Sequence, residues 1–287
     1  MTDPSLSFGS VAAAYDRGRP GYPREAVEWL LGPTPVSVLE LGAGTGKLTE
    51  LMVSLGHDVF ATDPDDKMLD ILSERLPDVR ATVGTAEQIP APDSSADVVI
   101  VAQAFHWFDL DKALPEIVRV LRPGGRLALV WNHFDTRIPW VKRLQATLSE
   151  PPSTEGAALS VKAADDSGLF SAIDDTTFKH WQVINQESIF DLANSRSKIS
   201  TLPEDERNAR LAAAKALYDE YDRGMDGMQL PYLTHCYRMI ALAKNYISTS
   251  SPVSHSPAPS MNDTSTASKL SPIATGDDSG IILIDFN

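Results

Sequence analysis

Short apolar runs alternate along this chain with stretches in which apolar residues recur at helical spacing. "SVLEL" (37–41) reads as a buried strand. In "KLTELMVSLG", Leu48, Leu51, Met52 and Leu55 fall on one helical face, with Gly56 placed for a C-terminal cap. "DVFATD" (58–63) predicts a second strand. "PDDKMLDILSERL" predicts a second helix, with Pro64 at its start and acids in the first turn. "RATVG", "ADVVIVA" and "RLALVW" predict three more strands, the last after the turn "LRPGG". Before that turn, "DLDKALPEIVRVL" is helical by the spacing of Leu114, Ile117, Val118 and Leu121, and Pro115 is expected in its first turn rather than its middle.

The second half is less regular. "WVKRLQATLSE" predicts a helix, and residues 151–177 read as loop with short turns. "FKHWQVI" and "YLTHCYRMIAL" have strand composition, while "ESIFDLANSRS" and "PEDERNARLAAAKALYDEY" predict helices. Strands joined by helices in this rhythm mean an α/β fold with a doubly wound, mostly parallel sheet. The two late strands would bring it to seven and add an antiparallel edge strand. Ligands on such sheets bind outside the carboxyl ends of the strands, so the loops after the strands are where chemistry is expected.

Composition changes sharply near residue 247. "STSSPVSHSPAPSMNDTSTASKLSPIATGDD" cannot bury enough apolar surface to offset its ordering entropy. The expected organisation is one domain over 1–246, with its core at 8–145, and a disordered tail over 247–287 that ends in the apolar "GIILIDFN". The net charge of −14 argues against nucleic acid or an anionic membrane as partner, since both need a basic footprint. One cysteine, Cys236, excludes an internal disulfide or a thiolate metal cluster and reads as a small buried strand residue. No His, Cys or acid cluster has metal-ligand spacing, so no metal is expected. "MTDPSLSFGS" lacks a secretory signal pattern, and no apolar run reaches the length of a membrane span. A cytoplasmic setting is the expectation.

The chemistry concentrates in "VLELGAGTGKLTEL" (38–51), where glycines stand at 42, 44 and 46. A phosphate-binding loop would need glycine where Leu41 stands and a hydroxyl where Leu48 stands. A dinucleotide fingerprint would need its third glycine at Lys47. The glycines could also serve only a tight strand-to-helix turn. Glu40, immediately before them, would repel a pyrophosphate and would suit a cationic ligand instead. Asp63, ending the second strand, suits a ribose hydroxyl pair because a carboxylate offers two acceptor oxygens, although it could equally be a helix cap.

Together these stretches resemble the class I S-adenosylmethionine-dependent methyltransferases. "VLELGAGTGKLT" is similar to the family's first motif and "ATDPDDKML" to its acidic second-strand end. "VGTAEQIPAPDSSADVVIVAQAFHWF" resembles its adenine-side loop and fourth strand, and "VLRPGGRLALVWN" the turn into its fifth. "FGSVAAAYDRGRPGYP" with "QAFHWFD" resembles the small-molecule branch that includes trans-aconitate-type carboxyl methyltransferases. The resemblance implies that Gly42, Ala43 and Gly44 let the backbone approach the methionine part of S-adenosyl-L-methionine, and that Asp63 accepts from the ribose. It further implies that Met68 packs on the adenine or joins the core, that Ala86 and Glu87 line the adenine edge, and that Gln103 lies near the methyl donor. Many members carry an aspartate where this chain has Thr85, which leaves the adenine amine to backbone groups.

On the acceptor side, His106 could remove a proton from a hydroxyl or amine, donate a hydrogen bond to a carboxylate, or serve with Trp107 as a wall. Tyr15, Arg17 and Arg19 lie on a segment expected to close over the donor, where an arginine could clamp a carboxylate or simply occupy a solvated turn. His133 is a weaker candidate. The leading reading is a methyltransferase acting on a small-molecule carboxylate or hydroxyl. The alternatives are a non-catalytic adenosyl-cofactor-binding module and an NAD-dependent oxidoreductase.

Overall fold

The computed structural model describes residues 16–148, 154–196, 199, 202–221 and 227–242. Seven strands form one sheet: β1 (Ser37–Leu41), β2 (Asp58–Asp63), β3 (Arg80–Val83), β4 (Ala96–Ala102), β5 (Leu121–Phe134), β6 (Asp174–Ile184) and β7 (Met228–Ile240). Their order is β3-β2-β1-β4-β5-β7-β6. The first five run parallel, while β7 lies antiparallel to both β5 and β6, so the antiparallel strand stands one place in from the edge. The strand order turns back between β1 and β4, which opens the crevice where α/β sheets receive ligands.

The helices are α1 (Arg24–Leu31), α2 (Lys47–Ser54), α3 (Asp66–Arg75), α4 (Leu110–Val120), α5 (Pro139–Thr147), α6 (Thr154–Asp166), α7 (Ser188–Asn194) and α8 (Glu204–Tyr221). Alternation along the central strands splits the core into two layers. Leu39, Val99, Val101 and Leu129 point toward α4 and α6, and Val38, Val98, Ile100 and Val130 toward α1 and α2. Helices α5, α7 and α8 pack with Phe134, Ile184 and Tyr232 in a separate apolar cluster beyond the carboxyl ends of β5 and β6. Cys236 is fully buried on β7, as its composition suggests.

Three sequence expectations need correction. Pro115 is not in a first turn; it is the sixth residue of α4. Interior proline costs roughly 3 kcal/mol. The helix runs through it because Leu114, Ile117 and Val118 are buried on one face, each contributing about 1.5–3 kcal/mol. Residues 151–177 are not all loop, since they hold α6 and the first residues of β6. Finally, α3 starts at Asp66 with Asp65 as its N-cap, its carboxylate accepting from the Lys67 amide at 3.0 Å, so Pro64 precedes the helix. The segment expected to be a disordered tail, 247–287 with its terminal "GIILIDFN", lies outside the described residues.

Candidate functional site

The loop between β1 and α2 is built on left-handed glycines: φ is 71° at Gly42, 56° at Gly44 and 83° at Gly46. Two of the three also have crowded neighbours. A Cβ at Gly42 would come within 2.7 Å of the Ala104 Cβ, and one at Gly46 within 2.8 Å of Leu72 Cγ. At Gly44 it would meet no atom within 4 Å, because that residue faces the cleft. Gly42 and Gly46 thus serve close packing of the loop, and Gly44 leaves its backbone open to a ligand. Gly42→Ala combines a left-handed backbone with a backbone-anchored clash. It is expected to cost roughly 1–3 kcal/mol, read as a lower chemical-denaturation midpoint, whereas Gly44→Ala should pay only the conformational part.

The cleft encloses about 470 Å³ including open solvent, and Arg19, Glu40, Gly42, Ala43, Gly44 and Gln103 all line it. Of the residues singled out from sequence, this group is brought together. Asp63 stands just behind, at the end of β2. Its Oδ2 accepts from the Gly44 amide at 2.8 Å and its Oδ1 from the Asp65 amide at 2.9 Å. Burial raises the Asp63 pKa against the pull of those two amides. Glu40 is fully buried on β1 and accepts from Thr49 Oγ1 at 2.5 Å. Burial pushes its carboxyl up to about 8, with the nearby Asp63 charge adding to the rise and the Thr49 hydroxyl opposing it. Gln103 leaves β4 with φ of 61°, a costly conformation for a residue with a side chain. It is held by its amide donating to the Val130 carbonyl at 3.0 Å.

Other candidates fall elsewhere. Met68 and Ala86 are buried and do not line the cleft. Glu87 Oε1 accepts from the Asp109 amide at 2.9 Å, so its carboxylate braces the start of α4. Thr85 forms an isolated bridge with Gln88. Arg17 is committed to Asp191 through bonds of 2.8 and 3.0 Å and is mostly exposed. Tyr15 lies outside the described residues.

His106 and Trp107 form a short 3₁₀ turn after β4, with ring centroids 4.7 Å apart. His106 is an exposed residue. Crowding by the surrounding chain, and secondarily the Arg19 charge, hold its imidazole below the usual histidine range. His133, on β5, is buried, its ring 5.2 Å from that of His235. Burial, followed by the charges of His235, Arg196 and His106, pushes His133 down to about 4. Neither histidine lines the cleft, and an arginine charge helps to hold each imidazole below the usual range. Among the described residues no group of His, Cys, Asp and Glu could hold a metal ion, and no helix is long and apolar enough to cross a membrane.

Sequence reasoning missed Asp16. Its carboxylate accepts from Thr45 Oγ1 at 2.7 Å and pairs with Arg75 and, at 3.7 Å, with Lys47. Burial opposes its charge, but those partners outweigh it and hold its carboxyl below the ordinary range. From this anchor residues 16–22 run as a strap over the cleft. The Gly18 carbonyl accepts from Gln182 Nε2 at 3.1 Å, and Arg19 Nη2 donates to the Ser195 carbonyl at 3.0 Å. Gly18 itself lies against the Asp191 backbone so closely that a Cβ would fall 2.2 Å from its oxygen. The ties join positions 29 to 176 residues apart, which no local pattern could reveal.

Residues 39–129 match a family model described as a methyltransferase domain. An uncharacterized methyltransferase of Mycobacterium tuberculosis is 42% identical over 238 residues, covering 82% of this chain and 96% of that protein. A malonyl-[acyl-carrier protein] O-methyltransferase of Methylococcus capsulatus is 41% identical over 135 residues, covering 43% of this chain and 49% of its own length. A solved structure of a candidate methyltransferase from an antibiotic biosynthesis pathway of Anabaena variabilis superposes with a TM-score of 0.54 at 21% identity. It covers 75% of this chain and 95% of that one, and bears on the fold alone.

Proposed function

The chain belongs to the class I S-adenosylmethionine-dependent methyltransferases, and on that premise we propose that it methylates a small-molecule acceptor through a carboxylate or hydroxyl oxygen. The observation that carries the cofactor reading is the buried Glu40 carboxyl in the wall of a cleft built on Gly42 and Gly44. Once ionised, a buried carboxylate would repel a pyrophosphate, and it can stabilise the ammonium and sulfonium of S-adenosylmethionine. The backbone at Gly44 fits the same ligand, since it is open where any side chain would intrude.

The cofactor supplies a methyl group on a sulfonium, already activated toward displacement. The protein's residues then bind, orient and exclude water. Glu40 and the glycine loop would hold the amino-acid end, Asp63 the ribose, and Met68, Ala86 and Glu87 the adenine side. Arg19 is proposed to clamp a carboxylate, Tyr15 to serve the acceptor side, and Gln103 to border the methyl group. The oxygen acceptor is supported by the likeness to an O-methyltransferase that acts on a malonyl group. A branch akin to the trans-aconitate-type enzymes fits that reading. The NAD-dependent and non-catalytic alternatives are not favoured.

Calorimetric titration with S-adenosylhomocysteine and, separately, NAD tests the proposal. Micromolar binding of the first and none of the second is expected; the reverse would overturn it. Glu40 adds a pH signature. Its carboxyl ionises near 8 in the fold against 4.5 ordinarily, so the unfolded state binds fewer protons between those values. Folding stability contributed by this group therefore falls as pH rises through that window and levels above it, by up to about 5 kcal/mol. A cationic ligand favours the ionised form, so affinity should rise from pH 6 to 8 with proton release. Glu40→Gln is expected to flatten that dependence, weaken binding about tenfold and raise the melting temperature at pH 8 but not near pH 4.5.

A further inference from the structure

Asn132 lies in the buried carboxyl-terminal part of β5 and lines the cleft, opposite Thr234 of β7. Its Nδ2 donates to the Gly21 carbonyl at 2.9 Å, while its Oδ1 accepts from Thr234 Oγ1 at 2.6 Å. Its own carbonyl accepts a longer bond, 3.4 Å, from Gln103 Nε2. A backbone carbonyl can only accept, so the NH2 end of the amide must face the strap, and the hydroxyl of Thr234 must then be the donor behind it. Thr234 is fully buried and is not part of the cleft wall, so it can reach the site only through Asn132.

Gly21 is flanked by Pro20 and Tyr22, both of which line the cleft together with Arg19. Asn132 therefore reaches the strap with its side-chain amide, and Gln103, the residue proposed to border the methyl group, with its backbone carbonyl. We propose that Asn132 is a positioning residue that seats the strap on the cofactor cleft, and that Thr234 orients it by fixing which end of its amide faces Gly21. The ties at the strap's other end, from Asp16 to Thr45, Lys47 and Arg75, hold it to the glycine loop. Without Asn132 the strap would keep that anchor and the ties at Gly18 and Arg19, and lose the one that registers Gly21 between Pro20 and Tyr22.

This inference rests on the cofactor reading above, and its test separates the two. Thr234→Val keeps shape and removes the hydroxyl, whereas Thr234→Ser keeps the hydroxyl. In the full chain, S-adenosylhomocysteine affinity is measured by calorimetry and hydrogen exchange over residues 16–22 by mass spectrometry. Thr234→Val should weaken affinity about tenfold and speed exchange in the strap while β1 and β4 keep their protection; Thr234→Ser should match the parent. A lower melting temperature with parental affinity and parental strap exchange would overturn the proposal, leaving the pair a sheet contact. Should Thr234→Val fail to fold, Asn132→Asp keeps the acceptor toward Thr234 and sets a carboxylate oxygen against the Gly21 carbonyl. The same two losses are then expected, and parental values would overturn the proposal. If the parent binds no S-adenosylhomocysteine, the cofactor reading fails, while strap exchange alone still decides the role of Asn132.

Discussion

Asp63→Ala is expected to weaken S-adenosylhomocysteine binding by roughly two orders of magnitude while the chain remains folded. The carboxylate ends β2 with 8% exposure, and each oxygen already accepts one backbone amide, from Gly44 and from Asp65. Those bonds leave each oxygen a further lone pair, so under the proposed ribose role two adjacent hydroxyls can each donate to one oxygen. A charge-assisted bond is worth about 1.5–3 kcal/mol, so losing two, less the water that replaces them, gives the factor stated. Folding should survive because alanine also relieves the cost of burying a charge. Asp63→Asn keeps one acceptor oxygen and should fall between. The raised pKa of Asp63 adds a sign: binding should decline on acidification at a pH above the ordinary carboxylate range, since a protonated carboxyl accepts poorly. Parental affinity in Asp63→Ala, measured by calorimetry beside a thermal melt, would remove the ribose role.

The centre of the sheet was legible because β1 and β4 are buried on both faces and read as largely apolar runs, "SVLEL" and "VVIVA". The elements misread are those whose signal is tertiary. In α6 the core-facing residues are Ala157, Val161 and Ala164, small or medium side chains at helical spacing between polar ends, a faint stripe beside that of α4. The start of β6, "DDTT", is polar and exposed on both faces, and its conformation is imposed by the ladder to β7. Pro115 follows the same rule, with burial of its neighbours deciding against local preference. The glycine loop with Glu40 was readable because its chemistry is contiguous. Asp16, Asn132 and Thr234 were not, because each matters through a partner more than 25 residues away.

The strap explains why two arginines of one short motif part company. Arg17 and Arg19 both follow Tyr15 within "YDRGRP", yet Arg17 turns outward to Asp191 and Arg19 inward to the cleft. Gly18 between them permits this by lying flush against the α7 backbone. Of the two, Arg19 is therefore the one proposed to meet an acceptor, and its charge also bears on His106.

His106→Ala separates the two acceptor chemistries. A hydroxyl acceptor must lose its proton as oxygen attacks, and an oriented base contributes about 10²–10⁴-fold; a carboxylate needs no base. His106 is the better of the two histidines for that task. His133, pushed down to about 4, would be a base weaker by more than two powers of ten than an ordinary imidazole, and it is buried, while His106 is exposed. Being lowered, His106 is neutral near pH 7 and ready to accept, and activity relying on it should be lost only as pH falls below the usual histidine range. The variant is expected to cut turnover of hydroxyl acceptors by about 10²–10⁴-fold and of carboxylic acids several-fold at most, with S-adenosylhomocysteine affinity unchanged. Methyl transfer to a panel of phenols, aliphatic alcohols and small carboxylic acids, followed with parent and variant side by side, reads the difference. Equal rates on every acceptor would reduce His106 to a wall residue beside Trp107, and a parallel loss of cofactor affinity would place it on the donor side of the cleft.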